Sequence, residues 1–338
     1  MRFEHVCIEE VGYVLPPNVV TSDQLEAYFA HTLKRLGMPP GQVEKLSGIK
    51  ERRWWDEGVQ PSTVAAMAGQ RALQKAGLTV DDIGALINTS VSRDWLEPAT
   101  SAMVAGHLGC SHEVANFDVG NACVGFLNGL YTAACMVELG HVDRVLVTCG
   151  EVVRNGVSAT LQRLAADDAT IDTFREDFAT LTLGAGAVAA VVTRREKSSK
   201  DHRLHGTILR SAPERNTLCL ANHTQMRSDA HGLLVHGVGL AVEAFPLARA
   251  EFGWGPDSVD EYVCHQVSTA HFSHAFEQLG LPLDKATLTL PYLGNCGPCS
   301  LPLTLCLAEE QGRINPGMEL CLWAVGSGLG CIVMGVSW

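Results

Sequence analysis

Three side chains in this 338-residue sequence combine into a chemistry that none has alone: Cys123, His265 and Asn295. A thiolate attacks a thioester carbonyl and then holds the acyl group. A neutral imidazole and a carboxamide donate hydrogen bonds to an oxygen on which negative charge develops. Cys123 follows a short strand ending near Val119 and a tight turn at Gly120-Asn121. It opens an apolar, small-residue stretch, 123–140, that predicts a buried helix stopping at Gly140. A helix N-terminus carries unpaired N–H groups and positive partial charge, so the same placement predicts a stabilised thiolate. His265 follows the strand Tyr262-Val-Cys264, and Asn295 sits in the glycine-rich loop Leu293-Gly-Asn-Cys-Gly-Pro-Cys-Ser300. A tight loop, Gly326-Ser-Gly-Leu-Gly330, offers further backbone N–H groups. Those of Cys123 and Ser327 are the expected oxyanion hole for an acyl-cysteine.

The elements that must position these residues alternate. Residues 83–88, 144–149 and 186–193 read as buried strands, and 62–76 and 123–140 as helices. That pattern is α/β with largely buried sheets. The polar stretch Arg194 to Arg203 is the candidate connection between two halves, 1–195 with the cysteine and 196–338 with the histidine and asparagine. The halves look related. Residues 83–92 can be laid over 259–268, 120–123 over 294–297, and 138–140 over 310–312, at a nearly constant offset. Such a duplication predicts equivalent loops converging on one site.

Composition removes several classes of function. A net charge of −12 argues against sequence-independent nucleic-acid binding. Twelve cysteines, mostly in apolar runs, read as a reduced core rather than a disulfide framework. No apolar run approaches the roughly 20 residues of a membrane span, and Met1-Arg-Phe-Glu-His5 lacks a secretory apolar stretch. A soluble, cytoplasmic protein is expected. Other motifs carry less. Cys296-Gly-Pro-Cys299 matches a dithiol redox spacing, but lies late in a long chain. His271/His274 and His231/His236 lack a third ligand at metal spacing, so no metal is expected. Gly184-Ala-Gly-Ala187 leads into a strand rather than a phosphate-binding helix. Lys50-Glu-Arg-Arg-Trp-Trp55 reads as a charged surface turn.

Asn121-Ala-Cys123, His265-Gln-Val-Ser268, Gly294-Asn-x-Gly-Pro-x-Ser300 and Gly326-Ser-Gly-Leu329 together resemble the thiolase-fold condensing enzymes of the ketoacyl synthase III group. The resemblance runs essentially end to end. It implies a five-layered αβαβα sandwich of two duplicated halves, a homodimer, and a Cys123–His265–Asn295 triad. Leu86 to Pro98 and Leu181 to Ala187 are more similar still to the branch that condenses acyl-CoAs in bacterial olefin pathways. That likeness implies that Glu97 reaches the partner's site as the base for an α-proton. On its own, Glu97 would read as a solvated loop residue. The implied reaction is a non-decarboxylative Claisen condensation of two fatty acyl-CoAs, with no cofactor beyond the CoA thioesters themselves. The alternatives are a decarboxylative synthase using malonyl-carrier protein, or a ketosynthase joining two carrier-bound chains. Part of the Lys50–Trp55 cluster would lie near the CoA entrance. Leu46 stands where the group usually has an arginine, so no CoA-contacting residue is assigned.

Overall fold

The computed structural model describes residues 1–222 and 224–338. Nine strands carry the fold: β1 Val6–Val14, β2 Ala85–Asn88, β3 Ala115–Asp118, β4 Arg144–Glu151, β5 Gly186–Arg194, β6 Arg203–Ser211, β7 Glu261–Cys264, β8 Glu319–Gly326 and β9 Gly330–Ser337. They are hydrogen-bonded in the order β7-β8-β9-β6-β1-β5-β4-β2-β3. The junction of β1 and β6 is the single pair Cys7–Arg203, so the run behaves as two sheets meeting at an edge. In the first sheet β2 is parallel to β3 and β4, and β4, β5 and β1 then alternate in direction. The second repeats this: β7 is parallel to β8, and β8, β9 and β6 alternate. Order and directions coincide when β2, β4, β5 and β1 are matched to β7, β8, β9 and β6. The duplication read from short sequence matches is therefore present in the backbone.

Helices complete the layers: α1 Pro61–Lys75, α2 Thr100–Leu108, α3 Gly125–Glu138, α4 Arg154–Leu164, α5 Ile171–Leu181, α6 Ala230–Phe252, α7 Thr269–Leu279 and α8 Ser300–Glu310. α3 and α8 lie between the sheets. Phe126, Leu127 and Leu130 of α3 share one buried cluster with Leu301, Leu303 and Leu305 of α8 and with strands of both halves. Apolar residues on almost every side of these helices leave them no alternative to a central layer. α1 and α2 cover the outer face of the first sheet, and α6 and α7 that of the second. The result is α/β/α/β/α.

One composition argument needs correction. α6 is long and apolar enough to cross a membrane by length and hydropathy. The sequence reading counted uninterrupted runs, and His231, His236, Glu243 and Arg249 break this one. Its buried face, with Leu240, Ala241, Ala244, Phe245 and Ala248, packs on the second sheet.

Candidate active site

Each half delivers residues to the site: Cys123 comes after β3, His265 after β7, and Asn295 from the loop after Leu290–Leu293. After β3, Val119 N–H donates to Asn88 O at 2.8 Å, extending the pairing by one residue. The chain then turns sharply. Ala122 has φ of +44°, one of two non-glycine residues with positive φ among the described residues, and a costly conformation for a residue with a Cβ. The turn closes by Val124 N–H to Asn121 O at 3.2 Å and Gly125 N–H to Ala122 O at 3.0 Å.

Here the structure differs from the sequence reading. α3 begins at Gly125, two residues beyond Cys123. The thiol is not acidified. Burial, with lesser contributions from Cys219 and Glu151, pushes it up to about 12. Desolvation of a thiolate in an apolar cavity outweighs the partial charge of the nearby helix terminus. The nucleophile therefore needs a proton acceptor beside it.

His265 lines the same cavity as Cys123. It follows β7 directly, with its backbone N–H on Trp323 O at 3.1 Å. Burial, and secondarily His271, lower its pKa to about 4, so the imidazole is neutral at physiological pH. Both ring nitrogens are buried and without a hydrogen-bond partner among the described residues. Unpaired buried polar atoms cost about 1–3 kcal/mol each, and a substrate oxygen or a thiol beside them recovers that. The next residue, Gln266, locks the strand end: its Nε2 donates to Thr287 O at 2.8 Å, and its Oε1 accepts from Thr289 N and Leu290 N at 3.0 Å. Gln266 thus ties the histidine to the segment leading to Asn295.

Asn295 is braced by the other half. Its N–H donates to Thr182 O and its carbonyl accepts from Gly184 N, both at 2.9 Å. Its Oδ1 accepts Gly297 N–H at 2.9 Å, which leaves Nδ2 as the donating end. Gly184-Ala-Gly is no nucleotide loop. Gly184 lies against the Leu293 carbonyl, with no room for a Cβ. Gly326 packs on the nucleophile turn, where a Cβ would sit 3.3 Å from the Cys123 nitrogen and 3.1 Å from that of Val124. The Ser327 loop is thereby held beside the Cys123 amide.

Cys123, His265, Asn295 and Ser327 all line one cavity of about 610 Å³. The rest of the wall is mostly apolar, from Phe174 and Phe178 on α5, Leu233, Leu234 and Val238 on α6, and Phe272 on α7. The two-stranded hairpin Cys219–Ala221/Met226–Ser228 adds Cys219 and Met226. His271, not singled out beyond its spacing with His274, also lines the cavity, its Nδ1 2.7 Å from Ser268 Oγ. Among the described residues no three His, Cys, Asp or Glu side chains gather as a metal site.

Glu97 is elsewhere. It lies on an exposed loop and is not part of the cavity wall of its own chain. Its neighbours Trp95 and Leu96 are 62% and 81% exposed. The Lys50–Trp55 segment is not a surface turn. Glu51–Trp54 is a strand in which Arg52 is fully buried, its Nη1 on Ser22 Oγ at 3.0 Å and its Nη2 on Leu181 O at 3.1 Å. Burial lowers even this guanidinium to about 10. Arg52 packs on Gly294 and props the asparagine loop rather than meeting a phosphate. Leu46 lines the cavity. The Cys296 and Cys299 sulfurs take different partners: Cys296 contacts the carbonyls of Leu293 and Ala185, and Cys299 lies 3.1 Å from Cys149 Sγ. All twelve cysteines are free.

Two models of 3-oxoacyl-[acyl-carrier-protein (ACP)] synthase III match, the C-terminal one over residues 248–338 and the other over 117–212. The acyl-CoA:acyl-CoA alkyltransferase of Xanthomonas campestris is 39% identical, with 100% of each chain covered. The chain belongs to the ketoacyl synthase III family. A second family member, the acyl-CoA:acyl-CoA alkyltransferase of Shewanella oneidensis, is 36% identical with the same full coverage. Crystal structures of Xanthomonas campestris OleA share the fold. One, with lauric acid and lauroyl-CoA bound, superposes with a TM-score of 0.97 at 38% identity, covering 99% of this chain and 100% of that one. The family's thiolase-like architecture thus extends over the whole chain. Variants at a glutamate, a cysteine and a histidine of OleA have been crystallised. Those three are separated by the same numbers of residues as Glu97, Cys123 and His265 here.

Proposed function

We propose that this enzyme joins two fatty acyl-CoA molecules head to head by a Claisen condensation without decarboxylation. The observation that carries the reading is the meeting of Cys123, His265, Asn295 and Ser327 in one mostly apolar cavity. The full-length likeness to acyl-CoA:acyl-CoA alkyltransferases supports it.

In the first half-reaction the Cys123 sulfur attacks the acyl-CoA carbonyl. Neutral His265 takes the thiol proton and passes it to the departing CoA sulfur. The N–H groups of Cys123 and Ser327 hold the carbonyl oxygen as it becomes an oxyanion. The acyl chain lies along the wall of α5, α6 and the 219–228 hairpin. A second acyl-CoA then enters. Its thioester oxygen takes hydrogen bonds from His265 and Asn295 Nδ2, which stabilise an enolate. With no carboxylate to lose, its α-carbon must give up a proton, and Glu97 of the partner subunit is the base. The carbanion attacks the acyl-Cys123 carbonyl, and the tetrahedral intermediate expels the thiolate, releasing a β-ketoacyl-CoA.

This reading includes a homodimer, supported by the place of Glu97 outside its own cavity and beside exposed Trp95 and Leu96. Twelve free thiols fit the reducing cytoplasm. The test is the product mass from one purified acyl-CoA with no malonyl donor and no carrier protein. A 2-alkyl-3-ketoacyl-CoA whose acyl group carries twice the carbons of the substrate's is expected. Product only with a malonyl donor would instead give the decarboxylative synthase.

A further inference from the structure

The segment carrying Glu97 leaves the sheet in an unusual way. Backbone pairing of β2 with β4 ends at Asn88–Thr148, with Thr89 N–H on Thr148 O as the last rung. Beyond it the chains stay side by side through side chains. Ser90 Oγ accepts Gly150 N–H at 2.8 Å. Ser92 Oγ accepts Val152 N–H at 3.1 Å. Between them stands Glu151, the last residue of β4, only 4% exposed. Its Oε1 accepts Val91 N–H at 2.7 Å, and its Oε2 accepts Ser92 N–H at 3.2 Å and Ser92 O–H at 2.7 Å. The far end of the loop is fixed separately, by Asp118 accepting the N–H groups of Thr100 and Ser101 at the start of α2. Glu151 also abuts the asparagine loop: a Cβ on Gly297 would lie 3.9 Å from its carboxyl carbon.

We propose that Glu151 is a positioning residue whose carboxylate fixes the direction in which residues 91–97 leave the sheet, and so aims Glu97. This rests on the reading of Glu97 as the base for the partner's site. An ionised carboxylate is acceptor-only and suits three donors. A protonated one must place an O–H among them. The titratable groups facing Glu151 are thiols: Cys149 on its own strand, Cys123 on the nucleophile turn, and Cys296 and Cys299 on the asparagine loop. Among the described residues no cation forms an ion pair with it. Desolvation raises its pKa to about 7 against the opposing hydrogen bonds of Ser92 and Val91. The loop is therefore held firmly above that pH and loosens below it.

The test separates the two half-reactions in the full-length enzyme. Acylation is read as the acyl-Cys123 mass after mixing with one acyl-CoA, and condensation as the rate of β-ketoacyl-CoA release. In Glu151→Gln condensation falls at least about tenfold more than acylation, because an ångström of misplacement costs catalysis far more than binding. In the wild type the ratio of condensation to acylation drops as pH falls through about 7, and in Glu151→Gln that drop is absent. Ser92→Ala, which removes one contact from the loop side, moves the ratio the same way by about threefold. Equal losses in both steps, or an unchanged pH dependence of the ratio in both variants, overturn the proposal. Glu97→Ala run in parallel keeps the failures apart. Full condensation there overturns the base assignment, whereas lost condensation there beside an unaffected Glu151→Gln overturns only the positioning role.

Discussion

Gly184 of the first half sits against the carbonyl of Leu293 in the second, with no space for a side chain between them. Through that contact the strand entering β5 holds the loop that presents Asn295. Asn295 is thus placed by the half of the chain that does not contain it. Gly184→Ala forces the loops apart. We expect a loss of about 2–3 kcal/mol in stability, typical of overpacking, with condensation falling more than the loss of folded enzyme explains. Denaturant titration alongside the condensation rate checks both.

The division of labour between Cys123 and Glu97 gives a second prediction. Cys123→Ala forms no acyl-enzyme, and condensation drops by at least about 10³-fold. Glu97→Ala still forms the acyl-enzyme but releases β-ketoacyl-CoA at least about 10²-fold more slowly. Intact-mass spectrometry and product analysis on the same samples distinguish the two. Full condensation by Glu97→Ala would sink the non-decarboxylative reading.

His265 has a pH signature. Its folded-state pKa is about 4, below its ordinary value, because burial disfavours the charged ring. Between those values the unfolded chain binds a proton that the folded chain refuses. Its contribution to stability is therefore fully present at neutral pH and is lost as pH falls through about 6.5 toward 4. In His265→Asn this part of the acid destabilisation disappears, so the melting temperatures of variant and wild type diverge in that window. Parallel curves would refute the buried neutral histidine.

Arg52 is a buried guanidinium whose hydrogen-bond partners are a hydroxyl and a carbonyl. Arg52→Ala removes the donor to the Leu181 carbonyl and one of the partners of Ser22 Oγ, whose hydroxyl still donates to Ile49 O, and leaves the Gly294 loop unsupported, at a cost of about 3 kcal/mol. Arg52→Lys does not restore it, since an ammonium lacks the planar fork that reaches Ser22 and Leu181 together. Urea midpoints of the two variants decide this.

Much of the fold and site was legible because its signals were local. Apolar runs of strand length marked β2, β4 and β5, and the turn before an apolar helix marked Cys123. The three short matches between halves caught the duplication because equivalent strand ends face similar demands. What failed depended on partners far along the chain. A thiol near a helix terminus reads as acidic until the apolar walls from α5, α6 and the hairpin close around it. Arg52 reads as exposed because nothing near it reveals Leu181 across the fold. Glu151 carries no motif; only the folded chain brings residues 91 and 92 to its carboxyl. Gln266 stands in the sequence only as a neighbour of His265, although its side chain ties the strand end carrying His265 to the segment leading to Asn295.

The apolar wall of the cavity and the supports of the candidate triad are built from different side chains, although their positions interleave along the chain. Phe174, Phe178, Met226 and Leu233 line the apolar wall, whereas Gln266, Gly184 and Gly326 brace the segments that carry His265, Asn295 and Cys123. An inherited substitution in the first set alters which fatty acids fit without disturbing bond formation.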